Sequence, residues 1–218
     1  MDGIPLIGRT ITSILASQVF DEIYVSTDDT EIAQIAVQFG ASVPFLREEN
    51  LADDFVTTQP VIADFLNRLD REGGEMPNYC CCVYATSFLL DARVYGETLD
   101  RLQSNGDLNY VATIAEYSHP IQRALEIEAG NDLLRFTEPE HRLTRTQDLQ
   151  KRYHDAGQLY WGQVSAWKNL EPIFGERTAG YIIDSNSIVD IDSESDWMRA
   201  EKSYLFNNFR TGENSIDG

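Results

Sequence analysis

The chain reads as an α/β protein whose mostly parallel sheet carries helices on both faces. Three features predict this. Strand-like and helix-like segments alternate through the first half, apolar residues between the strands fall at helical spacing, and glycines stand where helices should stop. Ile7, Ile11, Ile14 and Leu15 share one face, which places an amphipathic helix over roughly Ile7–Ser17. Glu22–Ser26, rich in β-formers, follows as a strand. Asp28 with Glu31 three residues on resembles a capping box for a helix carrying Ile32, Ile35, Ala36 and Phe39, with Gly40 as its stop. A short strand over Ser42–Phe45, a helix over Pro60–Leu69 ended by Gly73-Gly74, and a strand over Tyr79–Tyr84 continue the alternation. Strands joined through helices run parallel, because the crossover returns the chain to the same end of the sheet.

The middle changes character. Tyr110–Glu116 reads as a strand, and Ala124–Glu128, the turn residues Ala129-Gly130-Asn131-Asp132, and Leu133–Phe136 read as a β-hairpin. Such an excursion serves as a dimerisation or lid element. The α/β pattern resumes with a strand at Gln158–Trp161, a helix over Val164–Leu170, strands around Tyr181–Ile183 and Ile188–Ile191, and a helix from Glu194 to Asn207. With no repeats and no linkers, residues 1–218 are expected to form one domain, and the polar residues Thr211–Gly218 an unstructured tail.

At 218 residues the chain can bury about 70% of its unfolded surface. No apolar run approaches the ~20 residues that span a bilayer, and no signal peptide opens the chain, so a cytoplasmic location is expected. The net charge of −19 argues against nucleic-acid binding, because an acidic surface repels phosphate backbones; it leaves room for a small phosphate ligand held by a local donor cluster. Cys80, Cys81 and Cys82 are adjacent, so on a strand they point to opposite faces and cannot cage a metal. They read as small apolar residues of a buried strand in a reducing compartment.

In open α/β sheets ligands bind beyond the carboxyl ends of the strands. Ser26-Thr27-Asp28-Asp29 lies at such a place and opens a helix, but two aspartates repel phosphate, which favours capping over ligand contact. Asp190 and Asp192, two apart on an expected strand, project to one face and can share a hard cation such as Mg²⁺; alternatively Asp192 caps the helix that begins at Glu194. Arg142, Arg145, Lys151 and Arg152 cluster in an otherwise acidic chain. A guanidinium matches a carboxylate or phosphate in two-pronged fashion, although such a cluster also serves as a solvated face balancing nearby acids. His154 has two readings, a base or a structural hydrogen-bonding residue.

Several stretches together resemble the CMP-N-acylneuraminate (nonulosonic acid) cytidylyltransferases. They are Gly3-Ile4-Pro5-Leu6-Ile7, Val25-Ser26-Thr27-Asp28-Asp29, Val43-Pro44-Phe45-Leu46-Arg47, Leu51-Ala52-Asp53-Asp54 and Cys82-Val83-Tyr84-Ala85-Thr86. Others are Arg145-Thr146-Gln147-Asp148-Leu149 and Asp190-Ile191-Asp192 with Glu194, Asp196 and Trp197. His119-Pro120-Ile121-Gln122-Arg123-Ala124 and Tyr153-His154-Asp155-Ala156-Gly157-Gln158, with Tyr160 and Trp161, resemble the pseudaminate branch in particular.

The resemblance implies a Rossmann-like nucleotide-diphospho-sugar transferase sheet. It implies a reaction in which CTP and an acidic nine-carbon sugar, pseudaminic acid, give the CMP-sugar and pyrophosphate with Mg²⁺. It further implies that Asp192 and Asp190 hold the metal as the catalytic pair and that Arg145 and Gln147 engage the sugar, Arg145 at its carboxylate. Thr86 and Ser87 would lie beside sugar and phosphate, Ser26 would join the substrate contacts, and the hairpin would build a homodimer. N-acetylneuraminate or legionaminate is the alternative sugar, and a non-catalytic remnant that binds a sugar acid or a partner is the alternative class.

Two departures accompany the resemblance. The family begins with a strand and an Ala-Arg-x-Gly-Ser-Lys loop that cradles the CTP phosphates, whereas this chain opens at Met1-Asp2-Gly3. Weak or absent activity is therefore expected. The family's Ala-Thr-Ala-Pro-Phe-Leu is here Ala85-Thr86-Ser87-Phe88-Leu89-Leu90, so a differently shaped sugar-side loop is expected.

Overall fold

A computed structural model describes residues 3–53, 55–191 and 193–213, of which 207–213 by their backbone alone. Its helices are α1 (Leu6–Ser17), α2 (Thr30–Gln38), α3 (Thr58–Arg71), α4 (Ala92–Gln103), α5 (Val164–Lys168) and α6 (Glu194–Glu213). Its strands are β1 (Tyr79–Val83), β2 (Tyr110–Glu116), β3 (Leu125–Ile127), β4 (Leu134–Phe136), β5 (Tyr153–Gln163) and β6 (Thr178–Ile182). The four-stranded sheet has the order β1-β5-β2-β6, and β3 and β4 form the expected antiparallel hairpin.

The pairing explains the mixture of directions. β5 runs antiparallel to β1 and to β2, while β6 runs parallel to β2, so β1, β2 and β6 share one direction and β5 alone is reversed. Alternation along the strands sends side chains to two covered faces. Cys81, Val111, Leu159 and Trp161 pack under α1 and α4 with Ile14, Tyr95 and Leu102. Cys80, Cys82, Tyr110, Ala112 and Tyr160 pack under α3 and α5 with Leu66 and Trp167. The cysteines thus divide between the faces as the strand period requires, and all three are free thiols. Burial pushes the thiols of Cys80 and Cys82 up to about 12.

Several elements differ from the reading of the sequence. Asp29, not Asp28, caps α2: its Oδ1 accepts the N–H groups of Glu31 at 2.7 Å and Ile32 at 3.1 Å. The segments around Tyr24 and Ser42 do not form full strands; they meet in one parallel bridge, with Val25 N–H donating to the Ser42 carbonyl and Ser42 N–H to that of Ile23. Ile188–Ile191 is not a strand either, because β6 ends at Ile182 and among the described residues no strand pairs with 188–191. Helix α4, capped by the Asp91 carboxylate on Arg93 N–H, is absent from the sequence reading. Residues 211–213 of the expected tail continue α6, and 214–218 lie outside the described residues.

One irregularity positions the site. Between Ala112–Tyr160 and Ile114–Asp155, β5 advances five residues while β2 advances two, so β5 bulges at Ala156–Leu159. Gly157 sits there with φ +60°, a left-handed conformation that glycine adopts without strain. The Thr113 hydroxyl closes the broken ladder, accepting from Leu159 N–H at 3.0 Å and donating to the Leu159 carbonyl at 3.1 Å.

Candidate active site

Because β5 is reversed, its first residues lie at the same end of the sheet as the carboxyl ends of β1, β2 and β6. The loop Tyr84–Leu90 leaves β1 there, and Ile183–Asp190 leaves β6. This is where an open α/β sheet takes a ligand.

The loop after β1 rests on α1 and β5. Thr10 Oγ1 donates to the Ala85 carbonyl at 2.7 Å, and Ser13 Oγ to that of Leu90 at 3.3 Å. Ser87 is 0% exposed, and its hydroxyl donates to the Gln158 carbonyl at 2.8 Å. That hydrogen bond ties the loop to β5; next to it Thr86 is half-buried. Phe88, Val189 and Ala200 form an apolar cluster with Leu6, Ile191 and Tyr204, which joins the loop to the segment after β6 and to α6.

Asp190 stands exposed at the end of that segment, with no hydrogen bond or ion pair among the described residues. A carboxylate left free at the ligand-binding end of the sheet suits a hard divalent cation, so the donor chemistry fits. Asp192, its expected companion and the other catalytic candidate, lies outside the described residues.

Ser26 is fixed by Arg47, whose Nε donates to Ser26 Oγ at 3.2 Å and whose Nη2 donates to the Ser26 carbonyl; Arg47 N–H donates to the Thr27 carbonyl at 2.8 Å. Arg145 and Gln147 lie exposed at a short 3₁₀ turn, Thr146–Asp148, on the approach to β5. Among the described residues no hydrogen bond or ion pair joins them to Asp190, to Ser26 or to the Thr86–Ser87 loop. Arg145 also has no acidic partner among the described residues, whereas Lys151 is paired with Glu116 at 2.7 Å. His154 Nδ1 donates to the Asp155 carbonyl at 2.7 Å, and its ring packs against Tyr117.

Sequence reasoning missed two residues of this region. Tyr160 donates to both oxygens of Asp155, and the buried Gln158 carboxamide reaches the Val189 carbonyl at 3.4 Å. Gly157, just ahead of the expected Gln158–Trp161 strand, was the available signal of an irregularity there. Elsewhere Glu138, Glu140 and His141 bring donor atoms within 4.8 Å of one another, but they lie on the hairpin side, where His141 pairs with Glu138 at 3.7 Å.

Comparison with known proteins shows the family and the fold. The cytidylyltransferase family model matches residues 1–212. The pseudaminic acid cytidylyltransferase of Campylobacter jejuni is 34% identical over 206 residues, covering 94% of this chain and 87% of that protein. A Helicobacter pylori protein named pseudaminic acid cytidylyltransferase and UDP-2,4-diacetamido-2,4,6-trideoxy-beta-L-altropyranose hydrolase is 33% identical over 187 residues, 86% of this chain and 35% of that protein. The structure of a CMP:2-keto-3-deoxy-manno-octonic acid synthetase complexed with CTP superposes with a TM-score of 0.62 at 12% identity, covering 94% of this chain and 88% of that one. The chain belongs to the cytidylyltransferase family and has the nucleotidyltransferase fold.

Proposed function

We propose that this protein joins pseudaminic acid to CMP. The observation that carries the reading is the match to the Campylobacter jejuni pseudaminic acid cytidylyltransferase along 94% of the chain. A sugar hydroxyl oxygen bonds to the α-phosphorus of CTP, the bond from that phosphorus to the pyrophosphate oxygen breaks, and the hydroxyl proton leaves to solvent.

In this reading Arg145 grips the sugar carboxylate with its forked guanidinium, which is free of acidic partners among the described residues. Gln147, two residues on, hydrogen-bonds the sugar, and Thr86 faces sugar and phosphate while Ser87 keeps the loop in shape. Ser26, clamped by Arg47, belongs to the substrate contacts. Asp190 and Asp192 hold Mg²⁺, which neutralises charge growing on the phosphate oxygens. The protein works in the cytoplasm: among the described residues no helix is long and apolar enough to cross a membrane, and the fully free cysteines suit a reducing compartment. A second copy covers the hairpin, whose Leu125, Ile127, Leu133 and Leu134 are exposed.

The test is pyrophosphate release from CTP and Mg²⁺ with pseudaminic, N-acetylneuraminic or legionaminic acid offered separately. Turnover with pseudaminic acid, lost in Asp190→Ala, supports the reading. No release with any of the three acids would sink it and leave a protein that binds without catalysis. Light scattering decides the dimer, which Ile127→Asp should split.

A further inference from the structure

The segment that carries Asp190 is weakly tied to the fold. Ile188 N–H donates to the Ser185 carbonyl at 3.3 Å, but Val189, Asp190 and Ile191 make no backbone hydrogen bond among the described residues. Apolar packing of Val189 and Ile191 is non-directional and does not set the angle at which the neighbouring carboxylate projects.

The polar tie comes from the β5 bulge. Gln158 is 1% exposed, and its Nε2 donates to the Val189 carbonyl at 3.4 Å while sharing its protons with the Gly157 and Ala156 carbonyls at 3.1 and 3.3 Å. The main chain of the same residue holds the opposite wall. Its carbonyl accepts from Tyr84 N–H at 3.1 Å and from the Ser87 hydroxyl at 2.8 Å. One residue therefore binds the loop after β1 through its backbone and the segment after β6 through its side chain. A bulge is what lets it do both, because the inserted residues turn a side chain out of the strand's two-residue alternation.

Gln158 Oε1 is buried and has no partner among the described residues. A buried acceptor without a protein partner costs stability that an apolar side chain of equal size would not, so its presence asks for a reason. The Val189 contact supplies one.

We infer that Gln158 is a positioning residue: it holds the Asp190 segment at a set spacing from the Thr86–Ser87 loop, and thereby tunes how the site takes its divalent cation. The inference rests on the metal reading of Asp190 for its consequence, and on geometry alone for the tether.

Gln158→Met removes both polar atoms at nearly constant volume, so the fold should persist. Two measurements need no turnover: hydrogen exchange at the Ser187 and Ile188 amides of the ligand-free protein, and Mn²⁺ binding followed by water-proton relaxation. The expected results are exchange faster by about fivefold and Mn²⁺ bound about fivefold more weakly, the size of one net hydrogen bond. In turnover, the Mg²⁺ concentration for half-maximal rate should rise by more than kcat falls. Unchanged exchange in a folded Gln158→Met protein overturns the tether. Faster exchange with unchanged Mn²⁺ binding overturns the tuning. If Gln158→Met does not fold, Gln158→Asn, which keeps the amide but shortens its reach, takes its place with the same two outcomes. A parent protein that binds no Mn²⁺ refutes the metal reading of Asp190 and with it the tuning, while the exchange measurement still decides the tether.

Discussion

The Tyr160 hydroxyl donates to both carboxylate oxygens of Asp155, at 2.9 Å from Oδ1 and 2.7 Å from Oδ2. Asp155 Oδ1 also accepts Gly157 N–H at 2.9 Å, so the pair pins the bulge from its two ends. Burial and the neighbouring carboxylate both push the Tyr160 hydroxyl well above its usual range, which keeps it a donor at any ordinary pH.

Tyr160→Phe should therefore lower stability by about 1.5 kcal/mol, the lower end for a bond to a charged group, because the exposed Asp155 can recover water. Urea unfolding measures it. A midpoint equal to the parent's would show that the bond contributes nothing net.

Gly162 should tolerate no side chain. A Cβ there would meet the Trp167 indole nitrogen and would lie 2.6 Å from the Tyr110 ring, and both rings belong to the core beneath α3 and α5. Gly162→Ala should cost about 1–3 kcal/mol from overpacking. A melting temperature within one degree of the parent would contradict this.

Arg145→Ala should raise KM for the sugar acid about ten- to a hundredfold, as expected for a charge-assisted bond, with a smaller change in KM for CTP. Arg145→Lys should restore only part of the loss, since an ammonium cannot match a carboxylate in two-pronged fashion. Steady-state kinetics with each substrate varied in turn separates these outcomes. An equal effect on both substrates would place Arg145 elsewhere.

Stability should fall as the solution is made alkaline. Burial raises the thiols of Cys80 and Cys82 and the hydroxyls of Tyr95 and Tyr110 to about 12. The native state then keeps protons that the unfolded chain releases at lower pH. Stability is complete below the ordinary thiol range near ~8.5 and declines as pH climbs from there toward about 12. Urea midpoints at successive pH values should be level to pH 8 and drop beyond it, and thiol reagents should react slowly until the protein unfolds.

The sequence by itself determined the helices α1, α2 and α3, the strand β1, the hairpin, the division of the three cysteines between faces, and the family to which the chain belongs. These rest on side-chain periodicity, turn residues and contiguous motifs, all of which are local. Helix α4 escaped notice although Val94, Tyr95, Thr98 and Leu102 line one face, because a threonine and a tyrosine mask its apolar stripe. Asp190 was legible as a carboxylate of interest, yet its expected strand did not form, since a strand exists only where a neighbour supplies its hydrogen bonds. The reversal of β5, the clamp of Arg47 on Ser26, and the burial of Ser87 against Gln158 also depended on which segments meet in space. Only the tertiary structure decided these, because each joins residues far apart in the chain whose contact no local pattern encodes.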